Sequence, residues 1–276
     1  MYRKIFFSLL LAGAASLGAQ QFASTPPKSG TVAASTGTLP SDPAKLVNAV
    51  NASYYHPNDL SSLDCDVSID WPAFLSALKT TPAADRLAAM QGLKMHSRAL
   101  RGKPPEVTFD WAGGPLDTKD QIEAGMRQTI GGFYQMYWSL FASSLLGSPA
   151  EIQKFELQPD GTAKIYTSSQ GISVVFTVDK EGLPIHYLLD SAEMKGTMDL
   201  QYTPSPHPAP GDLHRISGIN VDEQMGSSTM KVNISLDYQA VNTFYVPQHA
   251  TFDLVGAYSI KLTFSGCSAS RSVIAP

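Results

Sequence analysis

Between Arg127 and Glu151 the chain carries no charged residue, and this stretch restricts the available folds more than any other. It belongs to a segment that opens with Asp117-Thr118 and Gln121, the pattern of an N-cap and capping box, and stops at the helix terminator Gly147-Ser148-Pro149. Ile122, Met126, Ile130, Phe133, Tyr137, Phe141 and Leu145 recur three or four apart, so the spacing predicts one helix over 118–146 with these side chains on one face. Beyond Gly131-Gly132, a natural weak point for bending, the other faces fill as well, with Tyr134, Met136, Trp138, Leu140 and Leu146. A helix that is apolar all round must be enclosed by a protein core, a bilayer or a bound apolar ligand.

Downstream of this helix the chain is patterned almost entirely as strand. Ile172, Val174, Phe176 and Val178 alternate with more polar neighbours, and Met198, Leu200 and Tyr202 share a face against Thr197, Asp199 and Gln201. Turns at Pro159-Asp160-Gly161 and Asp179-Lys180-Glu181-Gly182 punctuate the run, and further strands are expected at 219–221, 232–238, 250–254 and 258–264. The prolines of 203–211 favour an extended, exposed loop. Upstream, Asp42-Pro43 opens a short helix carrying Leu46, Val47, Val50 and Tyr54, and a strand over 64–71 separates Cys65, Val67, Ile69 and Trp71 from Asp64, Asp66, Ser68 and Asp70. Two more helix starts at Trp71-Pro72 and Thr81-Pro82 precede a hairpin of 93–100 with 107–111. Leu183-Pro184 and Val246-Pro247 each introduce a similar strand–turn–strand unit, as in an up-and-down sheet. The expected fold is therefore α+β: a curved, mainly antiparallel sheet forming an incomplete barrel, with the long helix and short N-terminal helices packed on its concave face.

Residues 1–19 have the form of a secretory signal: Arg3-Lys4, a mostly apolar run from Ile5 to Leu11, and Leu17-Gly18-Ala19 as cleavage site. Residues 20–41 are Ser, Thr, Pro, Ala and Gly with almost no charge, the composition of a disordered leader. One domain is expected over 42–267 and a loose tail over 268–276. The product is expected to be periplasmic or secreted, without a lipid anchor since no Cys stands near the cleavage site, and monomeric. Without Arg3 and Lys4 the net charge falls from −4 to about −6, which argues against nucleic acid or an anionic membrane as partner. In an oxidising compartment Cys65 and Cys267 are expected to bond and to join the first strand to the last; two buried free thiols are the other reading.

The chain offers little that resembles catalysis. Ser76-Ala77-Leu78-Lys79 fits the Ser-x-x-Lys pattern of penicillin-recognising enzymes, but Ser-Asp-Asn and Lys-Thr-Gly are both missing. Asp64, Asp66 and Asp70 have oxygen ligands that suit calcium, yet a strand spreads them along a solvated face and no calcium loop is present. His56, His96, His186, His207, His214 and His249 show no metal-binding spacing. No cofactor, metal or catalytic residue is assigned. The remaining candidate is apolar surface: Phe133, Tyr137, Trp138 and Phe141 from the helix, with Met198, Leu200, Tyr202, Ile234, Leu236, Phe252, Leu254, Ile260 and Leu262 from the sheet. If these meet without a gap they are an ordinary core; if the sheet curves too strongly to be filled, they line a ligand cavity.

The stretch Leu236-Asp237-Tyr238, then Phe244-Tyr245-Val246-Pro247, then Gly256 to Phe264, behind an N-terminal helix and a meander of strands, resembles the outer-membrane lipoprotein carrier superfamily, the LolA/LolB-like half-barrels. That resemblance implies an unclosed antiparallel barrel whose mouth is closed by helices and whose concave face binds acyl chains or lipoproteins. The long aromatic helix, the Pro-rich loop and the Cys65/Cys267 pair depart from the carriers. Two functions are thus expected: a soluble exported carrier for a lipid or acylated ligand, or an envelope interaction module with a solid core and a protein partner.

Overall fold

A computed structural model describes residues 39–112, 117–146, 149–169, 172–191, 194–203, 213–225 and 228–271. The expected signal, most of the leader and most of the Pro-rich loop lie outside these residues. In chain order the elements are helix α1 (Pro43–Ser53), strand β1 (Leu60–Ile69), α2 (Trp71–Ala77), α3 (Ala84–Gln91), β2 (Leu93–Leu100), β3 (Glu106–Trp111) and α4 (Lys119–Met136). A π-helical turn over Tyr137–Phe141 extends α4, and the remaining strands are β4 (Ile152–Leu157), β5 (Ala163–Ser169), β6 (Ile172–Val178), β7 (Pro184–Asp190) and β8 (Met194–Thr203). β9 (Arg215–Met225), β10 (Ser228–Val241), β11 (Phe244–Leu254) and β12 (Tyr258–Arg271) complete the sheet.

The twelve strands form one curved, unclosed antiparallel sheet among the described residues. Every strand lies beside its neighbour in sequence except at one place, where β1 pairs with β12 in the order β3-β2-β1-β12-β11 through to β4. The two edges are therefore β3 and β4, and α4 lies in the connection that carries the chain from one edge to the other.

Local signals explain many of the boundaries. Asp42 accepts a hydrogen bond from the Lys45 amide at 2.9 Å, and Asp70 accepts one from the Ala73 amide at 3.1 Å, each with proline in the first helical turn. The first strand has the expected sidedness, with Cys65 and Val67 buried and Asp66 exposed. Pro184 and Pro247 each stand beside a register shift, where a residue without an amide hydrogen interrupts the ladder.

Three expectations are corrected. The capping box at the start of α4 is not made: Thr118 gives no side-chain cap, and Asp117 is instead 3.0 Å from the Arg86 guanidinium. The long helix runs without a break through Gly131-Gly132 to Met136, then widens so that the Ala142 amide donates to the Tyr137 carbonyl, five residues back, at 2.9 Å, and it ends at Phe141 rather than at the expected Leu146. Finally, ordered chain extends past both expected limits. Leu39 is buried in the core, and Ser268, Ala269 and Ser270 of the expected loose tail pair with Asp64, Leu63 and Ser62 in β1.

The pairing of β1 with β12 brings Cys65 and Cys267 together as a disulfide, with Cα atoms 4.2 Å apart. It sits at a shift in register that places an extra residue on β12, near Gly266 at φ 57°. A side chain at Gly266 would also meet the Asp66 carboxylate, 3.2 Å from the ideal Cβ position. A disulfide fits an oxidising compartment, and no helix among the described residues is long and apolar enough to cross a membrane.

Candidate functional site

Strand register sets out the inner face in rows. One row crosses β8 to β12 as Leu200, Ile219, Ile234, Phe252 and Ile260. The next, nearer the β8 start and the β9–β10 turn, carries Phe176, Tyr187, Met198, Val221, Val232 and Leu254. A third lies at the rim: Val174, Leu189, Gly196, Glu223 and Met230.

Among the described residues, helix α4 meets this face ring to ring over β11 and β12. Its first half is held to the β3 edge, where Trp111 Nε1 donates to the Glu123 carboxylate at 2.9 Å and the Arg127 guanidinium lies 4.7 Å from the Phe109 ring centre. Further along, the fully buried Phe133 ring is 4.7 Å from Phe264 and 6.1 Å from Phe252, and it continues a column through Tyr137 (5.9 Å) and Phe141 (6.2 Å). Phe133, Phe252, Ile260, Leu262 and Leu236 are thus in a packed seam over the inner face of β10, β11 and β12. Met198, Leu200 and Ile234 are buried farther across the sheet, while Tyr202 and Leu254 remain half-buried. So do Val174, Val221 and Val232, while Phe176, Tyr187, Leu189, Met198 and Glu223 in the second and third rows are buried.

Where α1, the π-helical turn and strands β7, β8 and β10 converge, the interior becomes phenolic. The Tyr54 hydroxyl accepts from the Leu145 amide at 2.7 Å, Tyr202 donates to the Pro184 carbonyl at 2.7 Å, and Tyr238 donates to the Ile216 carbonyl at 2.7 Å. The hydroxyls of Tyr137 and Tyr187 and the indole nitrogen of Trp138 are sealed from solvent with no hydrogen-bond partner. Burial pushes these phenols far above their ordinary range; Tyr187 is within electrostatic reach of Tyr54 and Tyr202, and Tyr137 of Tyr238 and Tyr55. They form one group of neutral hydroxyls, two of them unsatisfied. Arg101 closes the side of this group, with its guanidinium 5.2 Å from the Trp138 ring centre.

Sequence reasoning places Tyr137, Trp138 and Tyr202 here but passes over Tyr54, Tyr187, Tyr238 and Arg101, and over Glu223 in the rim row. The available signal is alternation within β7 and β10, where Tyr187 and Tyr238 are one turn of the pleat from apolar residues.

Of the candidate histidines, His56 and His214 border this interior, with ring centres 4.7 Å from Tyr54 and 6.5 Å from Tyr202; the remaining described candidates are separate from it. His96 stands between two carboxylates on the outer face, with Nε2 3.0 Å from Asp64 and Nδ1 3.0 Å from Asp66, while Asp70 caps α2. His186 pairs with Asp199 across β7 and β8 at 2.6 Å. Among the described residues no group of three or more His, Cys, Asp or Glu side chains, that of His96 with Asp64 and Asp66 included, is arranged to hold a metal ion. Ser76 and Lys79 are both exposed, and α2 ends at Ala77, before Lys79 takes a left-handed conformation at φ 54°.

No family model matches the chain, and no curated protein or solved structure shows a significant similarity to it.

Proposed function

We propose that the protein is an exported carrier that holds an apolar ligand, a lipid or other acylated molecule, between its concave sheet and the α4–π-turn segment. The observation that carries this reading is the set of sealed, unpartnered donors: Tyr137 and Tyr187 hydroxyls and Trp138 Nε1. Leaving such a group unmade costs about 1–3 kcal/mol each. A finished core avoids that cost; an interior shaped for a guest with carbonyl or hydroxyl oxygens does not incur it when filled. The half-buried Val174, Val221, Val232 and Leu254 supply the surface for a chain, at about 0.8 kcal/mol per methylene buried. Binding of this kind uses no covalent chemistry. The curved, unclosed sheet is also the shape that the resemblance to lipoprotein carriers implies, and the disulfide accords with delivery to an oxidising space by the N-terminal segment.

Native mass spectrometry of the purified protein, combined with uptake of a fluorescent fatty acid, tests this directly. Co-purified lipid mass or saturable uptake is expected. A clean apo mass with no uptake overturns it and leaves the second reading, an envelope interaction module. That alternative draws its support from the packed Phe133–Phe264 seam and predicts a protein partner in crosslinking.

A further inference from the structure

Resting on the carrier reading, we infer that Glu223 is the head-group anchor of the inner face, and that the ligand it selects carries a protonated amine on its apolar chain.

Glu223 lies on β9 two and four residues from Val221 and Ile219, so it shares their inward face. Its register partners are Gly196 on β8 and Met230 on β10. The residue is only 4% exposed, and its Oε1 has no hydrogen-bond partner. Gly196 keeps the wall low beside it: a Cβ there would stand 3.7 Å from Glu223 Cγ and 3.3 Å from the Asp222 carbonyl oxygen. Glu223 therefore lies in the rim row between Gly196 and Met230, near the end of the β9–β10 hairpin.

Cations are close in sequence yet are used elsewhere. Lys195 precedes Gly196 and Lys231 follows Met230, so both point to the outer face, where Lys195 sits 3.5 Å from Asp190 and Lys231 2.6 Å from Asp222. The polypeptide thus balances its outer carboxylates and leaves the inner one alone. A buried carboxyl without a counterion is unfavourable when charged, and burial raises its pKa accordingly. A ligand ammonium would supply both the missing charge and a donor for Oε1, and the half-buried Val221, Val232 and Met230 would take the adjoining methylenes.

Displacement of N-phenyl-1-naphthylamine at pH 7 by dodecylamine, dodecanol and dodecanoate separates the possibilities. The wild-type protein is expected to bind dodecylamine roughly tenfold or more tightly than dodecanol, with dodecanoate weakest. In Glu223→Gln, the amine should fall to the level of the alcohol, while dodecanol stays within about twofold of its wild-type value. Equal binding of amine and alcohol by the wild-type protein overturns the assignment without needing any variant, and an amine preference that survives in Glu223→Gln overturns it too. Either result leaves the carrier reading standing if the chains still bind. Binding of none of the probes removes the carrier reading itself.

Discussion

The hydroxyls of Ser97 and Tyr134 meet at 2.8 Å between β2 and α4, both sealed from water, and Ser97 Oγ also donates to the Cys65 carbonyl at 3.3 Å. Tyr134 must therefore be the donor of the shared bond. Removing the two partners should have unequal effects. Tyr134→Phe leaves Ser97 its bond to Cys65 and should cost about 1 kcal/mol. Ser97→Ala strands a buried phenolic donor and should cost more, about 1–3 kcal/mol. In urea unfolding the double variant is expected to lose less than the sum of the two singles. Additive losses would show that the pair is not coupled.

Cys65 and Cys267 close a loop of 202 residues in sequence between neighbouring strands. The chain-entropy account assigns such a closure about 5 kcal/mol, and loss of natural disulfides typically costs about 2–5 kcal/mol. Cys65→Ala/Cys267→Ala should lower the urea midpoint accordingly, and the wild-type protein in reductant should move toward the same midpoint. An unchanged midpoint in both would mean that the β1–β12 seam is held by strand pairing and packing alone.

Arg101 binds four groups at once: the Leu60 carbonyl through Nε at 2.9 Å, the Pro57 and Ala142 carbonyls through Nη2 at 3.0 and 2.6 Å, and Ser143 Oγ through Nη1 at 3.3 Å. It ties the approach to β1 to the carbonyl end of the π-helical turn, the negative end of the helix. Lysine keeps the charge but cannot reproduce the fork. Arg101→Lys should cost about 2 kcal/mol and accelerate amide exchange over 137–146. Unaltered exchange there would assign the role to charge rather than to geometry.

Two buried groups predict pH effects of opposite sign. Burial lowers the His56 pKa below its ordinary 6.5, outweighing the bond from its Nδ1 to the Tyr54 carbonyl, and Arg101 adds to the lowering. The unfolded chain then binds the extra proton first, so this contribution to stability is lost as pH falls below about 6.5. Burial raises Glu223 above its ordinary 4.5, so the folded protein keeps a proton that the unfolded chain has released, and stability declines as pH rises from about 4.5. Melting temperatures across pH 4 to 8 should therefore show Glu223→Gln gaining on the wild-type protein as pH rises, and His56→Asn losing less than the wild type on acidification. Parallel curves for all three proteins would contradict both assignments.

The sequence pattern reveals most where one side of an element is wet. Asp64 and Asp66 alternating with Cys65 and Val67 mark β1 and its orientation, and Asp42 and Asp70 mark two helix starts because a cap is a local interaction. The pattern is weak where inward positions are not apolar. Alternation predicts β9 only over 219–221, yet the strand runs from Arg215 to Met225; the polar Glu223 stands at an inward position where the pattern of Ile219 and Val221 calls for an apolar residue. The far end of β12 escapes it because its Ser, Gly and Ala residues pair with β1 by backbone rather than by apolar side chains. The π-helical turn leaves no local trace, since Tyr137-Trp138-Ser139 reads as ordinary helix; the widening shows only in the hydrogen bond it makes. The phenolic group is hidden for another reason. Its members come from 54, 137, 187, 202 and 238, and only the folded chain brings those positions together.

That β12 inserts between β1 and β11 has a consequence for how the molecule is made. A chain emerging N-terminus first must keep one flank of β1 vacant while nearly all of the remaining strands are synthesised, because its neighbour on that side is the last strand of the sheet. The three-stranded wing β1–β3 and the long meander from β4 can each begin to form, but they remain tethered halves until the final hairpin arrives to knit them. A polypeptide stopped short of Tyr258 would carry two open flanks in the middle of what should be a continuous surface, the condition in which strands recruit one another from different molecules.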